Sequence, residues 1–305
     1  MEQSLRNRLT YGPMMLAGLF ALLWLDHAAQ GWTRPHLSAN GVPVGIGGIG
    51  LLLLLLAILP LATYELAGLF AAEKVKPYRT LSSTGSALLI LHAFGTQFPQ
   101  FRPYGTSTLA FIIVFVMLMA ALTRAFNKQT QEAIHHMAGT VLATLYLGGL
   151  AWFLMALRVK HSPHFQGSTY VILAILLMVK CTDIGAYFGG RALGRRKLIP
   201  WLSPGKTWEG LFCGMVVAGL VGMAFAPLIN KGDGTGYALT WWKGFIFGFV
   251  IGGIGQMGDL LESLMKRDAD VKDSGKLIPG FGGVLDVIDS PLLAAPFAYL
   301  IFSLL

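Results

Sequence analysis

The sequence predicts an all-α, polytopic integral membrane protein with about nine transmembrane helices. Hydrophobic residues make up 54% of the chain, charged residues only 12%, and apolar runs recur along nearly all of its 305 residues. A soluble globular domain carries about 25% charged residues, so lipid is needed to cover the surplus apolar surface. We therefore expect a single membrane domain over 1–305, with hydrophobic spans in 1–165 and the chemistry-bearing motifs in 168–305.

The predicted spans follow from the length of the apolar runs. A helix needs about 20 apolar residues to cross a hydrocarbon core roughly 30 Å thick. Two weaker segments complete the set: 81–98 is short and rich in Ser, Thr and Gly, and 284–305 has two aspartates near its start. No A-x-A cleavage pattern follows the first span, so we expect an anchor that is not removed. The seven stronger spans are 11–29, 44–72, 105–123, 137–157, 168–190, 209–230 and 242–261.

The basic residues predict the orientation. With nine spans, sixteen Lys and Arg residues lie on the side of the N-terminus and six lie in the opposite loops. The positive-inside rule therefore places the N-terminus and the loops 191–208 and 262–283 in the cytoplasm, and the C-terminus outside. The net charge of +8 is explained by these loops, so we expect no nucleic-acid partner. The expected location is a plasma membrane, or the inner membrane of a bacterium.

Ionisable residues inside spans are the first functional signal, because such residues are costly in lipid and mark sites or partners. Glu65 lies in the second span, and Lys180 and Asp183 stand one helical turn apart in the sixth. The sixth span leads into a cationic loop that suits phosphate ligands, although topology alone would also place positive charge there. The basic residues of this loop begin with Arg191, Arg195, Arg196 and Lys197.

The strongest signal is the segment 258–290, which combines acidic residues, basic residues and glycines at a span end. A helix would present Asp259, Glu262, Ser263 and Lys266 as one polar stripe, because they are spaced at i, i+3, i+4 and i+7. A second acidic pair, one turn apart, follows near the start of the last span. Facing carboxylates suit a hard cation such as Mg²⁺, which commonly bridges protein carboxylates to substrate phosphates.

These motifs resemble those of the phosphatidate cytidylyltransferase family, whose signature runs S-x-x-K-R, K-D-x-G, P-G-H-G-G and D-R-x-D. A second block, from Asp183 to Gly210, also resembles that family, and together the blocks cover most of residues 180–290. The signature stands here as Ser263, Lys266, Arg267, Lys272, Asp273, Gly275, Pro279, Gly280, Gly282, Gly283, Asp286 and Asp289.

The resemblance implies an all-helical membrane nucleotidyltransferase of phospholipid biosynthesis, which forms CDP-diacylglycerol and pyrophosphate from CTP and phosphatidate. It implies Mg²⁺, as one or two ions, with Asp259 and Asp286 as ligands. The implied partners are CTP, phosphatidate and the lipid bilayer, and a homodimer is left open. The catalytic candidates are Asp183, Lys206, Ser263, Lys266, Arg267, Lys272, Asp273 and Asp289. The substrate-binding candidates are Arg191, Arg195, Lys197, Ser203, Gly280, Gly282 and Gly283.

Two positions depart from the family pattern: Phe281 replaces a histidine and Val287 an arginine. We expect Lys276 to compensate as a substrate-binding residue, because a helical turn would place it on the same face as Lys272. Two alternatives stay open at this point. A CTP-dependent lipid kinase would need similar groups, and an anion or phospholipid transporter would use the intramembrane charged residues to line a path.

Overall fold

The computed structural model describes residues 2–33, 38–39, 42–43, 45–128, 130–162, 165–166, 169–233 and 239–304. The regular secondary structure of this part of the chain is helical apart from three short hairpins. The helices are α1 (Glu2–Thr33), α2 (Ile49–Ala72), α3 (Arg79–Gly95), α4 (Gly105–Phe126), α5 (Ala133–Thr144), α6 (Leu150–Val159), α7 (Thr169–Leu193), α8 (Trp208–Asp233), α9 (Trp241–Asp268) and α10 (Leu285–Leu304). The antiparallel strand pairs are β1 (Ser38–Ala39) with β2 (Val42–Pro43), β3 (His161–Ser162) with β4 (Phe165–Gln166), and β5 (Lys197–Ile199) with β6 (Ser203–Thr207).

The helices confirm the predicted all-α, polytopic membrane fold. Among the described residues, eight segments are long and apolar enough to cross a membrane. A π-helical turn at Leu145–Gly149 joins α5 and α6 into one of these segments, Ala133–Val159. On α4 only 11% of the apolar stretch is buried, which is the pattern of a helix that faces lipid. The remaining seven are Thr10–Thr33, Ile49–Ala72, Arg102–Phe126, Thr169–Leu193, Trp208–Asn230, Trp241–Asp268 and Leu285–Leu304.

Helix α3 corresponds to the weak predicted span 81–98. Its 17 residues extend about 25 Å, somewhat less than the hydrocarbon thickness. Ser82 and Ser86 are fully buried, and the Ser82 hydroxyl donates a hydrogen bond to the backbone oxygen of Thr140 on α5. Small residues at a helix interface let backbones approach closely inside a membrane protein. The Ser, Thr and Gly content of α3 therefore serves packing against neighbouring helices.

The chain divides into two compact units. Unit 1 comprises Met1–Ala156 and Asp268–Val287, and unit 2 comprises Leu157–Arg267 and Ile288–Leu305. The expectation of a single membrane domain stays a prediction.

The segment 191–208 is predicted only as a cationic loop, but its residues 197–207 form a β-hairpin in unit 2. Lys197 pairs with Thr207 and Ile199 pairs with Ser203. The Thr207 hydroxyl accepts a hydrogen bond from the backbone N–H of Gly210 at 3.1 Å and so caps the start of α8. The Glu209 carboxylate accepts hydrogen bonds from the backbone N–H groups of Arg195 and Arg196. These contacts between the hairpin and α8 were not visible in the hydrophobic pattern.

Candidate active site and metal centre

Three carboxylates converge between α9 and α10 in unit 2. Asp259, Glu262 and Asp289 each offer an oxygen, and these oxygens lie within 4.8 Å of one another. Glu262 and Asp289 are buried, at 0% and 2% exposure. Carboxylates removed from water need a counter-charge, a hydrogen-bond donor or a metal ion. We call these three residues the acidic cluster.

Gly258 allows the two helices to meet at this point. A β-carbon on Gly258 would lie 2.9 Å from the Ser290 α-carbon and 3.0 Å from the backbone oxygen of Asp289. Such distances are too short for a carbon side chain, so only glycine lets α10 pass this close to α9. The close approach carries Asp289 to the face of α9 on which Asp259 and Glu262 lie.

Two lysines supply positive charge to the acidic cluster. Lys206, on β6, forms an ion pair with Asp259. Lys266, one turn after Glu262 on α9, pairs with that carboxylate at 3.0 Å. The cluster thus combines three carboxylates with two ammonium groups. Both lysines are predicted catalytic residues, and Asp259 is a predicted metal ligand.

Asp183, on α7, has a hydrogen-bond partner that was not predicted from the sequence. The Gln256 side-chain amide donates a hydrogen bond to Oδ1 of Asp183 at 2.6 Å, and Gln256 is buried. Gln256 precedes Asp259 by three residues on α9, so the amide and the acidic stripe share one side of that helix. A buried amide inside a span, one turn before an acidic residue, is the signal that could have identified it.

The acidic cluster fits a divalent cation. Asp289 Oδ2 is buried and has no hydrogen-bond partner among the residues that the structure describes. Buried polar atoms are normally satisfied, and an oxygen-rich donor set is what Mg²⁺ and Ca²⁺ prefer. Asp259 is a ligand predicted from the sequence, and the structure places Glu262 and Asp289 beside it as further candidate ligands. These three residues could hold a metal ion.

Asp286, the other predicted ligand, belongs to unit 1. Its Oδ2 accepts hydrogen bonds from the backbone N–H of Gly283 at 2.7 Å and from the N–H and hydroxyl of Ser274, both at 3.0 Å. The carboxylate thus ties the chain before α10 to the loop that precedes it. The role of Asp286 as a metal ligand stays a prediction.

The glycine turn of unit 1 comprises residues 279–283. Gly282, with φ of 96°, donates its N–H to the backbone oxygen of Ile278 at 3.0 Å and accepts the N–H of Ile278 at 2.9 Å. The backbone N–H of Gly282 therefore closes the turn itself, whereas that of Gly283 bonds to the Asp286 carboxylate. Phe281 is partly exposed, and its ring lies 3.3 Å from where a β-carbon of Gly12 on α1 would be. The phenylalanine that departs from the family pattern thus packs on α1.

The loop before the turn carries three more predicted site residues. Lys272, Asp273 and Lys276 are all exposed. The expectation that a helical turn aligns Lys272 with Lys276 is wrong, because residues 271–277 are not helical. Asp270, with φ of 54°, adopts a left-handed conformation that a continuing helix excludes. Substrate binding by Lys276 stays a prediction without that argument.

The other predicted residues lie in unit 2, on the hairpin and the helices beside it. The Lys197 ammonium donates a hydrogen bond to the backbone oxygen of Pro204 at 2.8 Å, and Ser203 is half-buried. Arg191 lies 3.5 Å from the Tyr187 hydroxyl through Nη1. On α9, Ser263 is half-buried. Two of the arginines, Arg195 and Arg267, are exposed.

Comparison with known proteins identifies the family. The model of the cytidylyltransferase family matches residues 41–305. The chain belongs to this family. The predicted membership and the prediction of a nucleotidyltransferase enzyme are thereby confirmed, and the family implies a nucleotide and a lipid substrate in a membrane. The match begins after α1, so the helix that contacts Phe281 lies outside it.

Several bacterial proteins are similar in sequence to this chain. Phosphatidate cytidylyltransferase of Bacillus subtilis is 31% identical over 259 residues, which cover 85% of this chain and 91% of that protein. Phosphatidate cytidylyltransferase of Haemophilus influenzae is 41% identical over 162 residues, covering 50% of this chain and 52% of that protein. The uncharacterized Escherichia coli protein YnbB is 38% identical over 158 residues, covering 52% and 49%. The chain thus matches about half the length of the latter two.

Proposed function

We propose that the protein transfers a cytidylyl group from CTP to phosphatidate, forming CDP-diacylglycerol and pyrophosphate. The observation that carries this proposal is the acidic cluster with its two lysines, in a membrane-embedded member of the cytidylyltransferase family. Relatives that bear the name phosphatidate cytidylyltransferase support the choice of lipid.

The reaction forms one bond and breaks one. A phosphate oxygen of phosphatidate attacks the α-phosphorus of CTP, and the bond from that phosphorus to the β-phosphate oxygen breaks. Both substrates are anionic, so positive charge must offset their repulsion and the charge of an in-line transition state. Lys206 and Lys266 hold such charge at the acidic cluster. Mg²⁺, as one or two ions, would supply Lewis-acid stabilisation, and Asp259, Glu262 and Asp289 would hold it. The resemblance also makes Asp286 of unit 1 a candidate ligand.

The predicted orientation gives each substrate a route. With the hairpin and the loop 262–283 on the cytoplasmic face, CTP arrives from the cytoplasm while the acyl chains of phosphatidate stay in the bilayer. The exposed basic side chains of the hairpin would contact phosphate groups, where Arg and Lys form charge-assisted hydrogen bonds. A homodimer is compatible with this arrangement but is not needed for it.

Transfer of label from CTP to lipid tests the reaction type. Purified protein is incubated with phosphatidate, Mg²⁺ and CTP labelled at either the α or the γ phosphate. Label from the α position should enter the lipid fraction, and label from the γ position should appear in pyrophosphate, because the α-phosphorus is the electrophile. Omission of phosphatidate is the control and should leave the lipid unlabelled.

Two outcomes would contradict the proposal. Label entering lipid only from the γ position would identify a CTP-dependent lipid kinase. Absence of lipid label from both positions, with protein shown to be folded, would remove the catalytic assignment and favour transport of an anion or phospholipid.

A further inference from the structure

The Glu65 carboxylate lies at the end of a helix to which it does not belong. Glu65 is on α2 and is buried, at 5% exposure. Its oxygens accept hydrogen bonds from the backbone N–H groups of Val284 at 3.0 Å and Leu285 at 2.8 Å. These N–H groups stand at the start of α10, where no intrahelical acceptor exists. A carboxylate there is also favoured by the helix dipole.

The same carboxylate contacts the loop before the glycine turn. The Ser274 hydroxyl lies 3.3 Å from Oε2 of Glu65 and 3.0 Å from Oδ2 of Asp286. Two acidic side chains, from α2 and α10, thus share one serine. Through Ser274 the loop is tied to α2 and to the first turn of α10, which both belong to unit 1.

Gly275 shows how closely the loop is pressed against Glu65. A β-carbon on Gly275 would clash with Oε1 of Glu65 and would lie only 2.8 Å from its carboxyl carbon. The backbone of the loop therefore lies directly on the carboxylate. A larger residue at 275 requires Glu65 or the loop to move.

We propose that Glu65 is a positioning residue, which fixes the loop 272–283 by capping α10 and holding Ser274 at the same time. Glu65 accepts hydrogen bonds from Ser274, Val284 and Leu285 and lies against Gly283, so it acts on the reaction through this loop. The loop carries Lys272, Asp273 and Lys276, so its arrangement decides whether these side chains meet the substrate. This consequence for activity rests on the proposed function, whereas the ordering of the loop does not.

Limited proteolysis with a lysine-specific protease measures the order of the loop. In Glu65→Gln and Glu65→Ala, cleavage after the exposed Lys272 and Lys276 should accelerate at least about tenfold, because loss of these hydrogen bonds raises the population of open loop. Cleavage after Lys197 on the hairpin should not change. The matched control is Glu73→Gln, since Glu73 directly follows α2 and is exposed.

The kinetic readout uses the same variants. In Glu65→Gln and Glu65→Ala, kcat/KM for CTP should fall about tenfold to a hundredfold, and it should not fall in Glu73→Gln.

Gly275→Ala gives a second, independent readout. In the parent protein this change should accelerate cleavage of the loop, because its β-carbon meets Glu65. In a Glu65→Ala background it should add little, since the clashing atoms are absent.

Equal cleavage rates after Lys272 and Lys276 in the parent, Glu65→Gln and Glu65→Ala would overturn the proposal, and so would additive effects of Gly275→Ala and Glu65→Ala. Should Glu65→Ala fail to fold, Glu65→Gln and Ser274→Ala carry the test, with the same expected acceleration. The protease assay contains neither nucleotide nor lipid. Its result therefore stands even if the label-transfer experiment fails.

Discussion

Asp259→Asn and Asp289→Asn should each lower cytidylyl transfer by on the order of a hundredfold or more. Asp259 forms an ion pair with Lys206. Asp289 belongs to the same cluster, and its buried Oδ2 has no hydrogen-bond partner among the described residues. Asparagine keeps the shape of either side chain but removes the charge that a divalent cation requires. Initial rates with labelled CTP at limiting Mg²⁺ measure the effect.

The matched control is Asp268→Asn, because Asp268 ends the same helix α9 and is exposed. Its activity should equal that of the parent. Near-parental activity of Asp259→Asn or Asp289→Asn at limiting Mg²⁺ would remove that residue from the proposed ligand set.

Lys266→Met should destabilise the fold by about 3 to 5 kcal/mol, the usual result of removing one partner from a buried ion pair. Lys266 and Glu262 are 3.0 Å apart, and their side chains are 11% and 1% exposed. Methionine fills similar volume but deprives the Glu262 carboxylate of this ammonium. Thermal unfolding in detergent, without added metal or nucleotide, measures the loss, since bound ligands would raise the apparent stability.

Glu262→Gln combined with Lys266→Met should recover most of that stability, because the double variant carries neither charge. Arg267→Met is the control, since Arg267 is the exposed neighbour of Lys266 on the same helix. An unfolding midpoint of Lys266→Met equal to that of Arg267→Met would show that the ion pair does not stabilise the fold.

Much of the helical fold could be predicted because lipid imposes a simple rule on composition. Apolar runs of sufficient length had to become helices, and each predicted span corresponds to a helical segment. The β5–β6 hairpin could not be predicted in this way, because backbone bonds to Glu209 and the cap at Thr207 order it rather than a hydrophobic pattern. The sequence therefore predicted the positive charge of this segment but not its two β-strands.

The acidic cluster was predictable in part for a different reason. Helical spacing alone placed Asp259 and Glu262 on one face of α9. It could not decide whether Asp289 joins them, because that depends on where α10 passes α9, and Gly258 sets this approach. Glu65 was recognised as an intramembrane carboxylate without a role, since its partners lie more than 200 residues away in the chain.

Binding of Mn²⁺, a paramagnetic substitute for Mg²⁺, tests most directly whether the acidic cluster is a metal centre. Electron paramagnetic resonance of the free ion during titration of the purified protein gives the affinity without any turnover. Saturable binding that excess Mg²⁺ displaces is expected, with affinity at least about tenfold lower in Asp259→Asn and Asp289→Asn and unchanged in Asp268→Asn. Parental affinity in both cluster variants would contradict the assignment of the metal to Asp259, Glu262 and Asp289.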